Sequence, residues 1–504
     1  MSKIRVTYSG LISFVIGIGS LVTGLIFTLI VTRRLTPEEF GEWGLIGALT
    51  GYVLMFSPVI SYWNTREIAR GENSGRTSLQ TSSMFSLIAI LGYFLIVQLV
   101  NGSTNINVDL FLLAAIMIPM EYVKYSLTGI SLGFKPQAGE YGLLVFEFVK
   151  IPSGIIFIYF LNMGVEGAII TSTLSSFASI ILLLILSRNK IRGKFNVKYL
   201  VKWARTSWLP LYPKISSVFE RSDITVYTIL TGSVIGLAYW GAANAVAHIV
   251  NQSSKINRGL YPMLLGGGKK SSLKDNLTHV FYFAFPLTAI CIVFARPALF
   301  TLNPAYEIAV PVVLAIIPVT FLRTISAIFS QALSGIERVD VNEEASLKDY
   351  IKSKLFIIPT LVNIHRGIYL AIFIIFLIII VPLNYSELEI VMYWGIILSI
   401  TQVPFTIYLY FLTRKEFNKI FDTKPIIKYI ISTSIVFSVI NLVMDRFLIY
   451  HIEIFNFLPS VLFYLFLSVL GYLGITYIVD QNTRKLVKAI IREIKKRDNK
   501  ELYR

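Results

Sequence analysis

Several things are scarce in this chain, and each scarcity removes a class of function. There is one cysteine, Cys291, in 504 residues. That excludes a disulfide framework and any thiolate metal site. The four histidines, His248, His279, His365 and His451, are scattered. None has an acid or cysteine at ligand spacing, so no metal is expected. No glycine loop can cradle a phosphate: "LGGGKK" at 265–270 lacks the Ser/Thr after its lysine and the spacing to an upstream glycine. ATP is not expected as direct fuel, and no cofactor is expected. Charge is thin as well, at 15% of residues. Behind the first apolar run there is no small-residue cleavage site, only the polar turn Arg33–Glu42, so a cleaved signal peptide is not expected.

What fills the chain is hydrocarbon. Hydrophobic residues make up 55% of it and the mean hydropathy is +0.68, too apolar for a soluble protein of this size. A bilayer core of roughly 30 Å takes about 20 apolar residues per helix. Fourteen runs meet that length: 7–31, 41–63, 80–100, 108–133, 142–162, 166–187, 207–231, 235–256, 276–298, 308–334, 357–383, 389–412, 425–445 and 456–479. None shows the dyad alternation of barrel strands, so the fold class expected is an all-α integral membrane protein.

The net charge of +17 then reads as topology rather than as a nucleic-acid surface. An even number of spans puts both termini on one side. With the N-terminus inside, 35 basic residues fall in inner segments and four, Arg33, Arg34, Arg296 and Arg446, in outer ones. This bias predicts cytoplasmic termini in a multi-pass cell-membrane protein. Two inner segments read as basic surface helices: "KFNVKYLVKWAR" at 194–205 and the tail "RKLVKAIIREIKKR". Each suits either an anionic inner-leaflet surface or a solvated cap that enforces topology.

A shift of 197 residues lays "FGEWGLIGAL" (40–49) on "LAYWGAANAV" (237–246), so Trp43-Gly44 meets Trp240-Gly241. A shift of 196, one residue less, sets "ARGENS" (69–74) against "LGGGKK" (265–270). Both Trp-Gly pairs open an even-numbered span just after an outer turn. Six spans separate the copies, and six is even, so the halves run parallel about an axis along the membrane normal.

These residues carry a resemblance. "RRLTPEEFGEWGLIGAL" resembles the first outer turn of polysaccharide flippases, in the multidrug/oligosaccharidyl-lipid/polysaccharide exporter superfamily. "RSDITVYTILTGSVIGLAYWGAANAV" is similar to the opening of that family's second half, with Asp223 ahead of the hydrophobic run and Ala238 where the first half has Gly41. The resemblance implies a six-plus-six-plus-two architecture of 14 helices. Residues 1–193 would form an N-terminal six-helix bundle, 194–206 a cytoplasmic amphipathic linker and 207–413 a second six-helix bundle. Residues 414–480 would add spans thirteen and fourteen, and 481–504 a basic cytoplasmic tail. It implies a lipid-linked oligosaccharide translocase working by alternating access, with membrane lipid and that glycolipid as partners. The chain would act as a monomer, with glycosyltransferases or a polymerase as possible associates.

Ionisable groups inside the spans are the candidate site, because a bare charge at the bilayer centre costs at least ~2.5–3.5 kcal/mol. Spans four and five repeat one pattern: "MEYVKY" gives Glu121 and Lys124, and "FEFVKI" gives Glu147 and Lys150. Spacing i, i+3 sets each acid beside its base on one helix face. Either each pair only neutralises itself, or both line a cavity whose phosphate ligand draws the lysines away. Protonation of Glu121 or Glu147 is a second way to open the pair and would couple transport to protons. Span seven carries Lys214, Glu220, Arg221 and Asp223, with Arg221 and Asp223 pointing apart, and Pro210 and Pro213 loosening its inner half. Arg323 in span ten has no acid near it in sequence and is the leading phosphate ligand, since a guanidinium grips phosphate bidentately. Substrate binding is thus assigned to Arg323, Lys124, Lys150, Lys214 and Arg221, and coupling to H+ or Na+ to Glu121, Glu147 or Asp223. Tyr122, Tyr125 and Trp240 are candidates to stack on sugar rings.

Two other functions compete. An ion-coupled small-molecule exporter of the same superfamily needs cavity acids without basic partners, whereas the acids here sit beside bases. A membrane-embedded glycosyltransferase or polymerase needs a sizeable outer loop carrying acids, and the outer loops are mostly under about fifteen residues.

Overall fold

A computed structural model describes residues 6–104, 106–260, 264, 272–337, 339, 347–417 and 420–484. Every regular element among them is a helix. By length and composition ten helices can cross a membrane: Gly75–Asn101, Val108–Phe134, Gln137–Phe160, Gly164–Ile191, Leu273–Val293, Pro304–Gly335, Lys354–Leu383, Glu387–Glu416, Thr423–Phe447 and Ile454–Val479. An eleventh is a helix pair, Pro37–Leu54 and Ser57–Ala69, bent by 51°. Each of the eleven falls on one of the expected spans.

The other three expected spans take other forms. The first is the 29-residue helix α1 (Val6–Arg34). The seventh is broken at its two prolines into a short turn of helix, Trp208–Leu211, a 3-10 turn, Tyr212–Lys214, and a helix of 17 residues, Ile215–Thr231. Proline removes an N–H and clashes with the preceding turn, so 207–231 does not run as one rod. The eighth is a 13-residue helix, Ile235–Ala247, running into a 3-10 stretch, His248–Gly259. With α1, uninterrupted or bent helices of span length therefore account for twelve of the fourteen among the described residues. The glycine turn at 265–270 and the basic tail from 485 onward lie outside those residues, as do the side chains of 6–18.

The outer turn that opens the sequence repeat is fixed by local chemistry. Thr36 caps helix α2 (Pro37–Leu54), accepting from the Glu39 N–H at 3.2 Å, while its own N–H donates to Glu39 Oε2 at 2.8 Å. Pro37 takes the first helical position, where a missing N–H does no harm. The two corners related by the 197-residue shift meet here. A Cβ on Gly41 would stand 2.0 Å from the Val234 carbonyl oxygen, and one on Gly241 would stand 3.1 Å from the Phe40 ring.

Contacts divide the chain into two compact units. The first is Met1–Ala242 with Pro359–Trp394; the second is Ala243–Ile358 with Gly395–Arg504. These units are cut differently from the two halves of the repeat. In the first, helices α3 (Ser57–Ala69) and α6 (Met117–Phe134) pack around Ile68, Leu127, Ile130, Ile180 and Leu183. Surface helix α9 (Val197–Arg205) is held to this unit by polar ties. Tyr199 donates to Glu72 at 2.7 Å, Lys202 pairs with Glu67 at 2.6 Å, and Trp203 is buried. The Glu72 carboxylate accepting from the Tyr199 phenol pushes its pKa up to about 12. Phe195, Val197 and Val201 stay exposed beside Lys194 and Lys198. In the second unit, leucines and phenylalanines such as Leu277, Phe281, Phe329 and Leu409 make one continuous core.

Gly41→Val puts methyl groups where the Val234 carbonyl lies and should destabilise the protein by about 1–3 kcal/mol. Gly44→Val, where a Cβ meets nothing within 4 Å, serves as control. Thermal unfolding in detergent should show a lower midpoint for the first variant alone; equal midpoints would refute the close approach of the two corners.

Candidate functional site

The two Glu-x-x-Lys pairs sit on adjacent helices, α6 and α7 (Pro136–Gly154), and face one ring. Lys124 Nζ lies 4.5 Å from the centre of Phe146 and Lys150 Nζ 5.2 Å from it. Each lysine is ion-paired with its own glutamate, as the i, i+3 spacing requires. Beyond this the pairs differ. Glu147 also accepts from Ser20 at 2.7 Å and Thr23 at 2.6 Å, both on α1. Lys150 approaches Phe27, also on α1, at 5.5 Å. The side chains of that pair are 8% and 10% exposed. Glu147 and Lys150 thus clip α7 to α1 and have little contact with solvent.

Glu121 and Lys124 are about twice as open, at 19% and 22%. Their third partner is Ser176 on α8 (Gly164–Ile191), which donates to Glu121 at 2.9 Å and accepts from Lys124 at 3.2 Å. This pair borders a pocket of about 340 Å³ that also involves Tyr125, Thr128, Glu140 and Ser179. A phosphate entering the pocket meets an ammonium with an alternative partner already in place for its glutamate, because Ser176 can go on donating to Glu121. Pairing thus holds the charge at rest and still allows exchange.

The broken seventh span carries the second group. Lys214 is exposed in its 3-10 turn. Arg221, on the following helix α11 (Ile215–Thr231), donates from Nη1 to the Gly47 carbonyl at 3.1 Å and lies against Gly51, where a Cβ would be 1.7 Å from Nη1. Tyr125 lies within electrostatic range of both Glu121 and Arg221. Glu220 pairs with Arg366 at 3.4 Å. Asp223 points the other way from Arg221, as their spacing predicts, and is 4% exposed. It accepts from the Tyr369 hydroxyl at 2.8 Å and from the Ile224 N–H at 2.7 Å. Tyr369 in turn accepts from the Trp394 indole at 2.7 Å. Trp394 stacks on Trp240 at 4.1 Å and on Phe373 at 4.8 Å, and Tyr227, hydrogen-bonded to Glu387, stacks on its other flank at 5.6 Å.

The first unit therefore holds Lys124, Lys150, Lys214, Arg221, Glu121, Glu147 and Asp223. Arg323 belongs to the second unit, on Val310–Gly335, half-buried next to Thr324. Two expected sugar platforms are otherwise engaged. Tyr122 is fully buried and donates to the Val53 carbonyl at 2.7 Å, and Trp240 is stacked on Trp394. Tyr125 alone of the three lines the pocket. Sequence reasoning overlooked Ser176, Ser20 and Thr23, the hydroxyls that complete both ion pairs, and Tyr369, Trp394 and Glu387, which surround the seventh span. Hydroxyl residues recur every few positions in apolar helices, so nothing in the chain singled them out. Among the described residues no group of three or more His, Cys, Asp or Glu is placed to hold a metal ion.

The closed pair yields a direct test. Glu147→Ala leaves Lys150 buried without its acid and should lower stability by about 3–5 kcal/mol, whereas Glu147→Leu with Lys150→Met should recover most of the loss. Glu121→Ala, at a more exposed pair, should lower it less. Equal losses at both glutamates, measured by thermal unfolding, would contradict the difference between the pairs.

No protein-family model matches this chain, and no curated protein matches it. Solved structures do. The lipid II flippase MurJ, in an inward closed conformation, superposes with a TM-score of 0.65 at 15% identity, covering 95% of this chain and 99% of that one. A multidrug resistance MATE family transporter of the MOP superfamily, in an inward-facing conformation, gives 0.53 at 14% identity, covering 79% and 94%. At such identities the likeness is one of fold: this chain is an all-α membrane protein that shares its fold with that flippase and that transporter.

Proposed function

We propose that the chain flips an oligosaccharide linked to a polyprenyl phosphate or diphosphate across the cell membrane by alternating access, for surface polysaccharide or glycoprotein glycan synthesis. The observation that carries this reading is the open Glu121–Lys124 pair on a pocket at membrane depth, with Arg221 in electrostatic range of the same Tyr125. A polar headgroup cannot cross hydrocarbon alone; its lipid tail can stay in the bilayer while the headgroup passes through a wet, cationic site. Lys124, with Arg221 and Lys214 on the seventh span, holds phosphate; Arg323 on the tenth span is a separate phosphate ligand within the second unit. Tyr125 stacks on a sugar ring. No bond is made or broken. The likeness to MurJ over 95% of the chain supports a lipid-linked substrate. The cytoplasmic placement of both termini rests on the distribution of basic residues.

Of the candidate coupling acids, Glu121 is the one that borders the pocket. Glu147 is clamped by three partners, and its pair serves to join α1 to α7. H+ arriving at Glu121 releases Lys124 toward phosphate. A second reading, an ion-coupled exporter of small molecules, is supported by the fold shared with a multidrug resistance MATE family transporter.

Reconstitution in vesicles separates these. A fluorescent polyprenyl-diphosphate oligosaccharide should move between leaflets without covalent change. A new glycosidic product, or movement of small cationic drugs and not of the glycolipid, would overturn the proposal. Arg323→Ala and Lys124→Ala should each slow flipping roughly ten- to a hundredfold, the ~1.5–3 kcal/mol of a hydrogen bond to a charged group, with membrane insertion unchanged. Wild-type flipping in both variants would remove these residues from the site.

A further inference from the structure

The second unit carries a cavity that the flippase reading leaves unused. Helices Ser272–Val293 and Thr423–Phe447 leave a groove of about 730 Å³ between them. Its walls are mostly apolar, among them Phe285, Ile292, Ile430 and Phe437. Both helices are span-length and apolar, so the groove lies at hydrocarbon depth. It runs from Ile430 to Leu442 on one wall, ~18 Å at the helical rise of 1.5 Å per residue. That is close to one leaflet, half of a hydrocarbon core of roughly 30 Å.

At the end where both helices finish, the groove shares Ile292, Val293 and Asn441 with a second pocket of about 220 Å³. This one is polar. Arg296 donates from Nε and Nη2 to Glu307 Oε1, each at 2.6 Å, and its guanidinium lies 5.0 Å from the centre of Tyr450. Asp445 accepts from Asn441 at 3.0 Å, and both Arg296 and Tyr450 feel its charge. Burial foremost, then Glu307 and Asp445 against the opposing pull of Arg296, raises the Tyr450 phenol above its ordinary value, so that ring stays neutral. The Arg296 side chain is 63% exposed. The mouth of the apolar slot is thus lined by Arg296, which Glu307 already neutralises, and by Asp445.

We infer that this groove is a binding site for a zwitterionic phospholipid of the phosphatidylethanolamine class, with an acyl chain between Ser272–Val293 and Thr423–Phe447, its phosphate on Arg296 and its ammonium facing Asp445 and Glu307. The charge balance selects the head. An anionic phosphoglycerol head brings a negative charge to a pocket already holding a surplus carboxylate. A choline head has no N–H to donate to those carboxylates, whereas an ethanolamine head has three. The length selects the tail: an ordinary acyl chain fills one leaflet, while a polyprenyl chain runs well beyond it. The lipid acts here as a mortar between the ninth and thirteenth spans.

Native mass spectrometry of the full chain in detergent tests this, after incubation with equimolar dioleoyl phosphatidylethanolamine, phosphatidylglycerol, phosphatidylcholine and undecaprenyl phosphate. One phosphatidylethanolamine should be retained per chain, about tenfold over each of the others. Ser438→Trp, an exposed groove position, should lose at least tenfold of that retention. Asp445→Asn should keep one lipid per chain and bring the ethanolamine-to-glycerol ratio to near one. Retention of no lipid, preference for phosphatidylglycerol or undecaprenyl phosphate, or unchanged retention and selectivity in the two variants would overturn the inference. Glycolipid flipping by the same Asp445→Asn preparation reports on the transport reading separately, since Asp445 has no part in it.

Discussion

An ionised side chain inside an apolar helix needs a partner within reach, and everything else about this molecule is arranged around that demand. Removing a lone ammonium from water is far more costly than any packing gain its neighbours can return. The chain meets the demand in the shortest way available, by writing acid and base three residues apart on one helix turn. It does so twice in adjacent helices, and the two copies have diverged in surroundings. One is sealed by two hydroxyls of α1 and holds helices together. The other keeps a serine as its third member and stays open to a pocket. The same tetrapeptide is thus a structural clip in one place and a candidate ligand in the other.

The seventh span shows the complementary solution. It is broken by prolines and cannot run as a uniform apolar rod, so its charges are dealt with one by one. Arg221 reaches a backbone carbonyl across a glycine, Glu220 finds Arg366, and Asp223 is enclosed by Tyr369 beneath a stack of aromatic rings. Nearby, two Trp-Gly corners pack so closely that Gly41 has room for no side chain. Close approach of small residues is how helices associate where lipid gives no hydrophobic push. The repeat in the sequence and this contact are two views of one constraint.

Hydropathy made most of the fold legible, because a bilayer enforces length and apolarity on each crossing segment. Twelve spans stand where the sequence put them. The seventh and eighth did not, since windowed apolarity is blind to Pro210 and Pro213 and to the short helix Ile235–Ala247 that gives way to a 3-10 stretch. In the site, the internal pairing of Glu121 with Lys124 and of Glu147 with Lys150 was readable from spacing alone, as was the divergence of Arg221 from Asp223. Which pair is open was not: that depends on Ser20, Thr23 and Ser176, between 52 and 127 residues away along the chain. Nor could spacing tie Asp223 to Tyr369 across 146 residues. Aromatic character alone nominated Tyr122, which turned out to be a buried packing residue.

The central claim is that one of the two like pairs meets water and substrate while the other is sealed. Cys291 is the sole cysteine and is buried, so its replacement by alanine gives a background for thiol labelling. In that background, Lys124→Cys and Lys150→Cys can be exposed to a charged, membrane-impermeant methanethiosulfonate in reconstituted vesicles, with and without a polyprenyl-diphosphate oligosaccharide. The account predicts rapid labelling at position 124, slowed by the glycolipid, and little labelling at position 150. Labelling at 150 and not at 124, or labelling at 124 that the glycolipid leaves untouched, would contradict it.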